Sequence, residues 1–159
     1  MLTIFSSPPF YTNLVRLPHE TDPIPSEIRD NPKRYPFFRD AIGAIDGTHI
    51  ACAPSERERA AARNRKGLLT QNCLIACSFD LRFTYVLSGW EGSAADALIF
   101  HNARQTDFPI PNGKYYLADA GFPLCPELLV PYRSVRYHLA EWGRARIWYL
   151  PSIDNYNLF

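Results

Sequence analysis

The apolar residues of this chain fall into short runs that end at turn residues. Residues 42–45 are apolar and lead directly into Asp46-Gly47, a pattern that predicts a buried strand opening into a tight turn. The next two runs, 72–79 and 83–90, are rich in apolar, β-branched and aromatic residues, and only residues 80–82 separate them. This spacing predicts a hairpin.

A helix and a further strand follow the predicted hairpin. Residues 94–104 carry apolar side chains at helical spacing, and we expect Leu98 and Phe100 to be buried. Residues 114–118 form another strand-like run, which ends at Asp119. Three strands, a crossing helix and a fourth strand match the first part of a ribonuclease-H-like fold. The pattern therefore predicts an α/β domain with a mixed sheet, incomplete at its C-terminus.

The distribution of proline divides the chain into three regions. Residues 1–40 contain seven prolines, and because proline fixes φ and removes a backbone donor, they are predicted to form an extended and turning lead-in segment. Residues 41–141 hold the predicted strands and helix and form the core. Residues 142–159 show no clear period and are interpreted as a divergent tail.

The overall composition is typical of a folded protein without a strongly charged surface. The 159 residues are 47% hydrophobic and carry a net charge of +1, so any contact with DNA would depend on local basic patches. No apolar run is long enough to cross a membrane, and no membrane association is expected. The four cysteines lack zinc-site spacing, which favours reduced residues of an intracellular protein.

Two aspartates occupy positions where a carboxylate can carry chemistry. Asp46 and Asp119 each stand where a predicted strand ends, and if the two strands are neighbours, both side chains emerge at one edge of the sheet. Paired carboxylates on rigid elements suit hard cations such as Mg²⁺ or Mn²⁺. The alternative is that each aspartate is simply a turn residue, since Asp is frequent before Gly.

Asp96 is a third acidic candidate with its own alternative. Ser93 and Asp96 fit a capping-box-like helix start, with Ser93 as the N-cap and Asp96 at the third helical position. On spacing alone, capping is the favoured role, although capping and metal binding need not exclude each other.

A series of short motifs runs along the chain in a fixed order. They are IGAIDGTHI at 42–50, RKG at 65–67, QN at 71–72, FD at 79–80, GWEGS at 89–93, YYLADAGFP at 115–123, PYR at 131–133 and VRYHL at 135–139. Together, over roughly residues 30–141, they resemble the DDE endonuclease domain of PIF/Harbinger-type transposases and of Harbinger transposase-derived nucleases. Residues 41–141 would then be a DDE endonuclease core.

The resemblance implies a divalent-metal-dependent DNA endonuclease and strand-transfer domain. The family's acidic residues fall on Asp46, Asp96 and Asp119, which would be the catalytic residues and hold Mg²⁺ or Mn²⁺. Where the family usually has a histidine before the second aspartate, this chain has Ala95. The resemblance thus favours a metal-binding role for Asp96 over capping alone.

The end of the chain departs from the family pattern. No residue matches the final glutamate of the DDE set, so the sequence is interpreted as a C-terminally truncated copy that lacks one metal ligand. Loss of that ligand predicts impaired or absent catalysis. The alternative is a non-enzymatic transposase remnant that binds metal, DNA or a partner protein.

Basic residues near the predicted strands are the candidates for nucleic-acid binding. Arg63, Arg65 and Lys66 belong to the densest basic stretch, and Arg133 and Arg136 flank two tyrosines. A solvated helix or loop surface is the alternative for the basic stretch. The family's helix-turn-helix region is not evident in 1–40, so a separate Myb-like or helix-turn-helix DNA-binding protein is an expected partner. We expect localisation in the nucleus, or in the cytoplasm if no partner carries the protein in.

Overall fold

The computed structural model describes residues 15–132, which form one mixed sheet with a helix packed on it. Its elements, in chain order, are α1 (Ser26–Arg29), β1 (Ala41–Ala51), β2 (Thr70–Cys77), β3 (Phe83–Glu91), α2 (Asp96–Thr106), β4 (Tyr115–Leu117) and β5 (Leu128–Leu129). The strand order is β3-β2-β1-β4-β5. This α/β architecture confirms the predicted mixed sheet and is consistent with a ribonuclease-H-like domain.

The direction of the strands follows from how they are connected. Residues 78–82 join β2 to β3 as the predicted antiparallel hairpin, a connection two residues longer than the predicted 80–82, and β1 also runs antiparallel to β2. The strand β4 follows the α2 crossover from β3 and pairs parallel to β1. The central strand β1 therefore lies between one antiparallel and one parallel neighbour.

The helix α2 buries one side against the sheet. Ile99, Phe100 and Ala103 are buried and pack in the main core with aromatic residues from the sheet and from the loops after α2 and β4. The rings of Phe100 and Phe108 meet edge to face, with centroids 6.5 Å apart. Leu98 is 53% exposed, so the prediction that it is buried was wrong. Because residues 98 and 100 lie about 200° apart around a helix, one narrow face cannot bury both.

Two further predictions about local structure were wrong. The strand β1 does not end at Asp46 but continues to Ala51, because its second half pairs with β2 as far as Thr70. The helix α2 begins at Asp96, with Ala95 at the N-cap and no side-chain capping bond. The predicted capping box is therefore absent, and the Ser93 N–H donates instead to the Ala61 carbonyl at 3.0 Å.

Several sequence predictions fall outside the described residues. These include the tail at 142–159, the first part of the lead-in segment, and Arg133 and Arg136. Within residues 15–132, no helix is long and apolar enough to cross a membrane. The four cysteines lie in this range, and all are free thiols.

Candidate metal centre

Asp46 lies within β1, and Asp119 follows two residues after the end of β4, the parallel neighbour of β1. The register of β1 and β4 pairs Ala44 with Leu117, and each aspartate comes two residues later in its own chain. Since adjacent strands are about 4.8 Å apart, this arrangement brings the two carboxylates near enough for the charge of Asp119 to affect Asp46. Both residues are exposed to solvent. The two strands are neighbours, as the prediction required, but Asp46 lies within its strand rather than at the end.

The electrostatics of Asp46 indicate a cluster of like charges. Burial raises the pKa of Asp46 most strongly, and the negative charges of Asp119 and Asp96 raise it further. A hydrogen bond of 2.8 Å from the Gly47 N–H to Asp46 Oδ1 opposes these effects, but the net pKa is raised. Such repulsion between carboxylates is relieved when a cation binds between them.

The loop after β4 holds Asp119 in place. The Gly121 N–H donates to Asp119 Oδ1 at 2.8 Å, and the next residue, Phe122, is 1% exposed in the core. A buried aromatic ring immediately after the turn fixes the backbone that carries this hydrogen bond. The carboxylate of Asp119 therefore has a defined position, although it faces solvent.

Asp96 occupies a different position, at the first residue of α2. Its carboxylate lies directly over Gly47, where a methyl group on the glycine would overlap Oδ1 and Cγ of Asp96. On its other side, Asn72 Nδ2 donates to Asp96 Oδ1 at 2.7 Å. Asp96 is thus held between β1 and β2, close enough for its charge to affect Asp46.

Asn72 is the residue of this site to which sequence reasoning gave no role. It belongs to a matched motif and is the only strongly polar residue in the apolar run 72–77, which is the signal that could have identified it. The structure buries it to 1% exposure. Nearby on β1, the His49 Nδ1 forms a hydrogen bond with Thr70 Oγ1 at 3.1 Å, which links β1 to β2.

The carboxylate oxygens of Asp46, Asp96 and Asp119 suit a hard divalent cation, but the three side chains do not converge on one metal position. Carboxylate oxygens are the ligands that Mg²⁺ and Mn²⁺ prefer. Within residues 15–132, no group of three or more His, Cys, Asp or Glu side chains converges as a metal site. Asp46 and Asp119 stay the predicted central pair, and Asp96 is a third charge near Asp46, hydrogen-bonded by Asn72.

The basic stretch lies in the loop that connects β1 to β2. Residues 56–62 form successive turns rather than a regular helix, and the loop is anchored where the Thr70 N–H donates to the Ala62 carbonyl at 2.8 Å. Thr70 lies five residues along β2 from Ile75, the partner of Asp46, which corresponds to roughly 17 Å. Arg63, Arg65 and Lys66 are exposed, and Arg63 donates to the Gly67 carbonyl at 3.0 Å.

Comparisons with known proteins agree with the motifs. The sequence profile described as DDE superfamily endonuclease matches residues 45–146, more than half of the chain. The protein named "Putative nuclease HARBI1" of Rattus norvegicus is 32% identical over 93 residues, which are 57% of this chain and 27% of that protein.

Two further relatives match longer parts of this chain. The protein of the same name from Bos taurus is 29% identical over 109 residues, which are 63% of this chain and 31% of that protein. The "Protein ALP1-like" of Arabidopsis thaliana is 28% identical over 129 residues, 68% of this chain and 31% of that protein. The chain thus spans less than a third of the length of these relatives. No solved structure shows a significant match.

Proposed function

Because the chain belongs to the DDE superfamily endonuclease family, we propose that it is a divalent-metal-dependent DNA endonuclease and strand-transfer domain. The observation that carries the proposal is the position of Asp46 in β1 and of Asp119 just after the neighbouring parallel strand β4, close enough for their charges to interact. Two carboxylates held by neighbouring parts of a sheet are a suitable support for a cation that binds a phosphodiester.

Each acidic residue has a distinct part in the proposed site. Asp46 and Asp119 would hold Mg²⁺ or Mn²⁺, and Asp96 would complete the acidic set from the start of α2. When bound, such an ion stabilises the charge that develops on the phosphate oxygens during cleavage or strand transfer. The backbone N–H groups of Gly47 and Gly121 orient the two central carboxylates before substrate arrives.

The charge of the loop before β2 supports DNA as the substrate. Residues 55–66 contain five basic and two acidic residues, a net charge of +3. None of these basic side chains forms an ion pair within the described part of the chain, whereas Arg16, Arg29, Arg39, Arg82, Arg104 and Lys114 are each paired with a carboxylate. These unpaired cations lie in the loop that leads into β2, the strand that pairs with the strand of Asp46, and they would contact the phosphates of a bound duplex.

The cellular setting is part of the same proposal. A DNA endonuclease of this kind acts in the nucleus, and a separate Myb-like or helix-turn-helix protein would supply recognition of a particular DNA sequence. The basic stretch supports this division, because contacts to phosphates position a protein on DNA without reading its sequence.

A non-enzymatic remnant is the second candidate function. It is favoured by the arrangement of the acids in residues 15–132, where no three side chains converge on one metal position. In this case the protein would still bind a divalent ion at Asp46 and Asp119, or bind DNA or a partner protein, without cutting DNA.

Cleavage of a labelled DNA duplex separates the two candidates. We expect the protein to cut the duplex in Mg²⁺ or Mn²⁺, to stop when a chelator removes the ion, and to join the 3′-hydroxyl end of a donor duplex to a target. Binding of Mn²⁺ with no cut or joined product would support the remnant and contradict the endonuclease.

A further inference from the structure

Asn72 is a polar residue at a buried position of the sheet. It is 1% exposed on the central part of the sheet, next to the fully buried Leu74 on the same face of β2. Its Nδ2 donates both to Asp96 Oδ1 at 2.7 Å and to the Ala94 carbonyl at 3.0 Å. Since both partners are acceptors, the amide orientation is determined: the nitrogen must face the start of α2.

The other half of the same amide has no partner. Asn72 Oδ1 is buried without a hydrogen bond from any described residue. A buried unsatisfied acceptor costs about 1 to 3 kcal/mol, whereas an apolar residue of similar shape at this position would be nearly neutral or stabilising. Stability alone therefore does not account for an asparagine here, and a role toward Asp96 does.

Gly47 completes the restraint on Asp96 from the opposite side. A Cβ on Gly47 would overlap the carboxylate, so the absence of a side chain on β1 lets Asp96 approach the strand that carries Asp46. No capping side chain contacts the start of the helix, because the N-cap residue, Ala95, makes no side-chain capping bond. The contacts described for the Asp96 carboxylate therefore come from β1 and β2.

We propose that Asn72 and Gly47 are positioning residues that together fix the Asp96 carboxylate beside Asp46 as part of the divalent-metal site. This inference rests on the proposed function and adds to it two residues that touch neither metal nor DNA. Residues that orient a ligand from outside the first coordination layer change metal affinity by about 10- to 100-fold when they are replaced.

A titration with Mn²⁺ alone tests the proposal without any measurement of activity. Binding is monitored by the loss of the electron paramagnetic resonance signal of free Mn²⁺. Asn72→Leu should retain the fold, with a melting temperature at or above that of the wild type, and bind Mn²⁺ about 10-fold or more weakly. Gly47→Ala should weaken binding in the same direction. The matched control is Gln71→Leu, an exposed position one residue earlier on β2, which should bind as the wild type does.

Two more variants distinguish the possible failures. In an Asp96→Ala background, Asn72→Leu should cause no further loss of Mn²⁺ affinity, because its effect acts through Asp96. If Asp46→Asn weakens binding but Asn72→Leu and Gly47→Ala do not, the positioning role is wrong and the proposed function stands. If the wild type does not bind Mn²⁺, or Asp46→Asn binds equally well, both are wrong. An undiminished effect of Asn72→Leu in the Asp96→Ala background would also overturn the positioning role.

Discussion

The environment of Asp46 in the folded protein disfavours the ionised form of its carboxyl group. Burial and the charges of Asp119 and Asp96 raise its pKa above the ordinary value of 3.8. The ionised form is therefore less favourable in the folded protein than in the unfolded chain. The stabilisation associated with protonated Asp46 is fully present below 3.8 and is lost as the pH rises through the raised pKa.

This linkage predicts that Asp46→Asn melts at a higher temperature than the wild type at neutral pH when no divalent ion is present. The difference should shrink as the pH falls through the raised pKa of Asp46 and be gone below 3.8, where the wild-type carboxyl is protonated in the folded and the unfolded chain. Thermal melts across this pH range would measure it. The matched control is Asp80→Asn, because hydrogen bonding from Ser78 lowers the pKa of Asp80 and its replacement should destabilise at neutral pH. Equal or lower stability of Asp46→Asn at neutral pH would contradict the like-charge cluster.

At the same scale, the sequence identified some residues of the site and missed others. Asp46 and Asp119 could be named because a carboxylate after an apolar run is visible locally. The partnership of Asn72 with Asp96 could not, since the two residues are far apart in sequence and meet only when α2 packs over the hairpin. The capping box at Ser93 failed because the Ser93 N–H is used by the Ala61 carbonyl, a contact that no local pattern reports.

Among the elements, α2 contributes to stability through the one face that packs against the sheet. Ile99 is fully buried in the core, whereas its neighbour Leu98 is 53% exposed. Ile99→Ala should therefore lower the free energy of unfolding by about 2 to 5 kcal/mol, because it removes buried methyl groups and leaves a cavity. Leu98→Ala should change it by only about 0.5 kcal/mol. Chemical denaturation of the two variants compares them directly, and equal losses would contradict the described orientation of the helix.

The elements also show where sequence patterns are informative. The hairpin, α2 and β4 were predicted from apolar periodicity, because each buries side chains at the spacing of its own backbone. The end of β1 could not be predicted in this way. Its residues from Thr48 to Ala51 are exposed. They remain extended because β2 pairs with them as far as Ala51. A partner strand, rather than burial, decides that boundary.

For the whole molecule, a net charge of +1 makes DNA binding dependent on one local region. Replacing Arg63, Arg65 and Lys66 together by alanine should weaken binding to any duplex and reduce the salt dependence. The slope of log affinity against log salt should become shallower by about 2 to 3, since each phosphate contact contributes about 0.9. Fluorescence anisotropy of a labelled duplex between about 50 and about 200 mM salt measures both quantities.

A matched charge change elsewhere provides the control for this prediction. Three other exposed arginines, each paired with a carboxylate, are Arg29, Arg39 and Arg82. Their combined replacement by alanine removes the same three charges and should leave the affinity and the salt slope close to those of the wild type. An equal reduction of the slope by this variant would mean that DNA responds to overall charge rather than to the basic stretch.

Nicking of supercoiled plasmid DNA tests the central claim, that Asp46 and Asp119 together support metal-dependent cutting of DNA. The comparison includes the wild type, Asp46→Ala, Asp119→Ala and the control Asp80→Ala, an exposed acid in the β2–β3 turn at the other end of the sheet. We expect nicking in Mg²⁺ or Mn²⁺ by the wild type and by Asp80→Ala, and none by either of the other two variants. Nicking that persists in Asp46→Ala and Asp119→Ala, or its absence in a folded wild type that binds Mn²⁺, would contradict the claim.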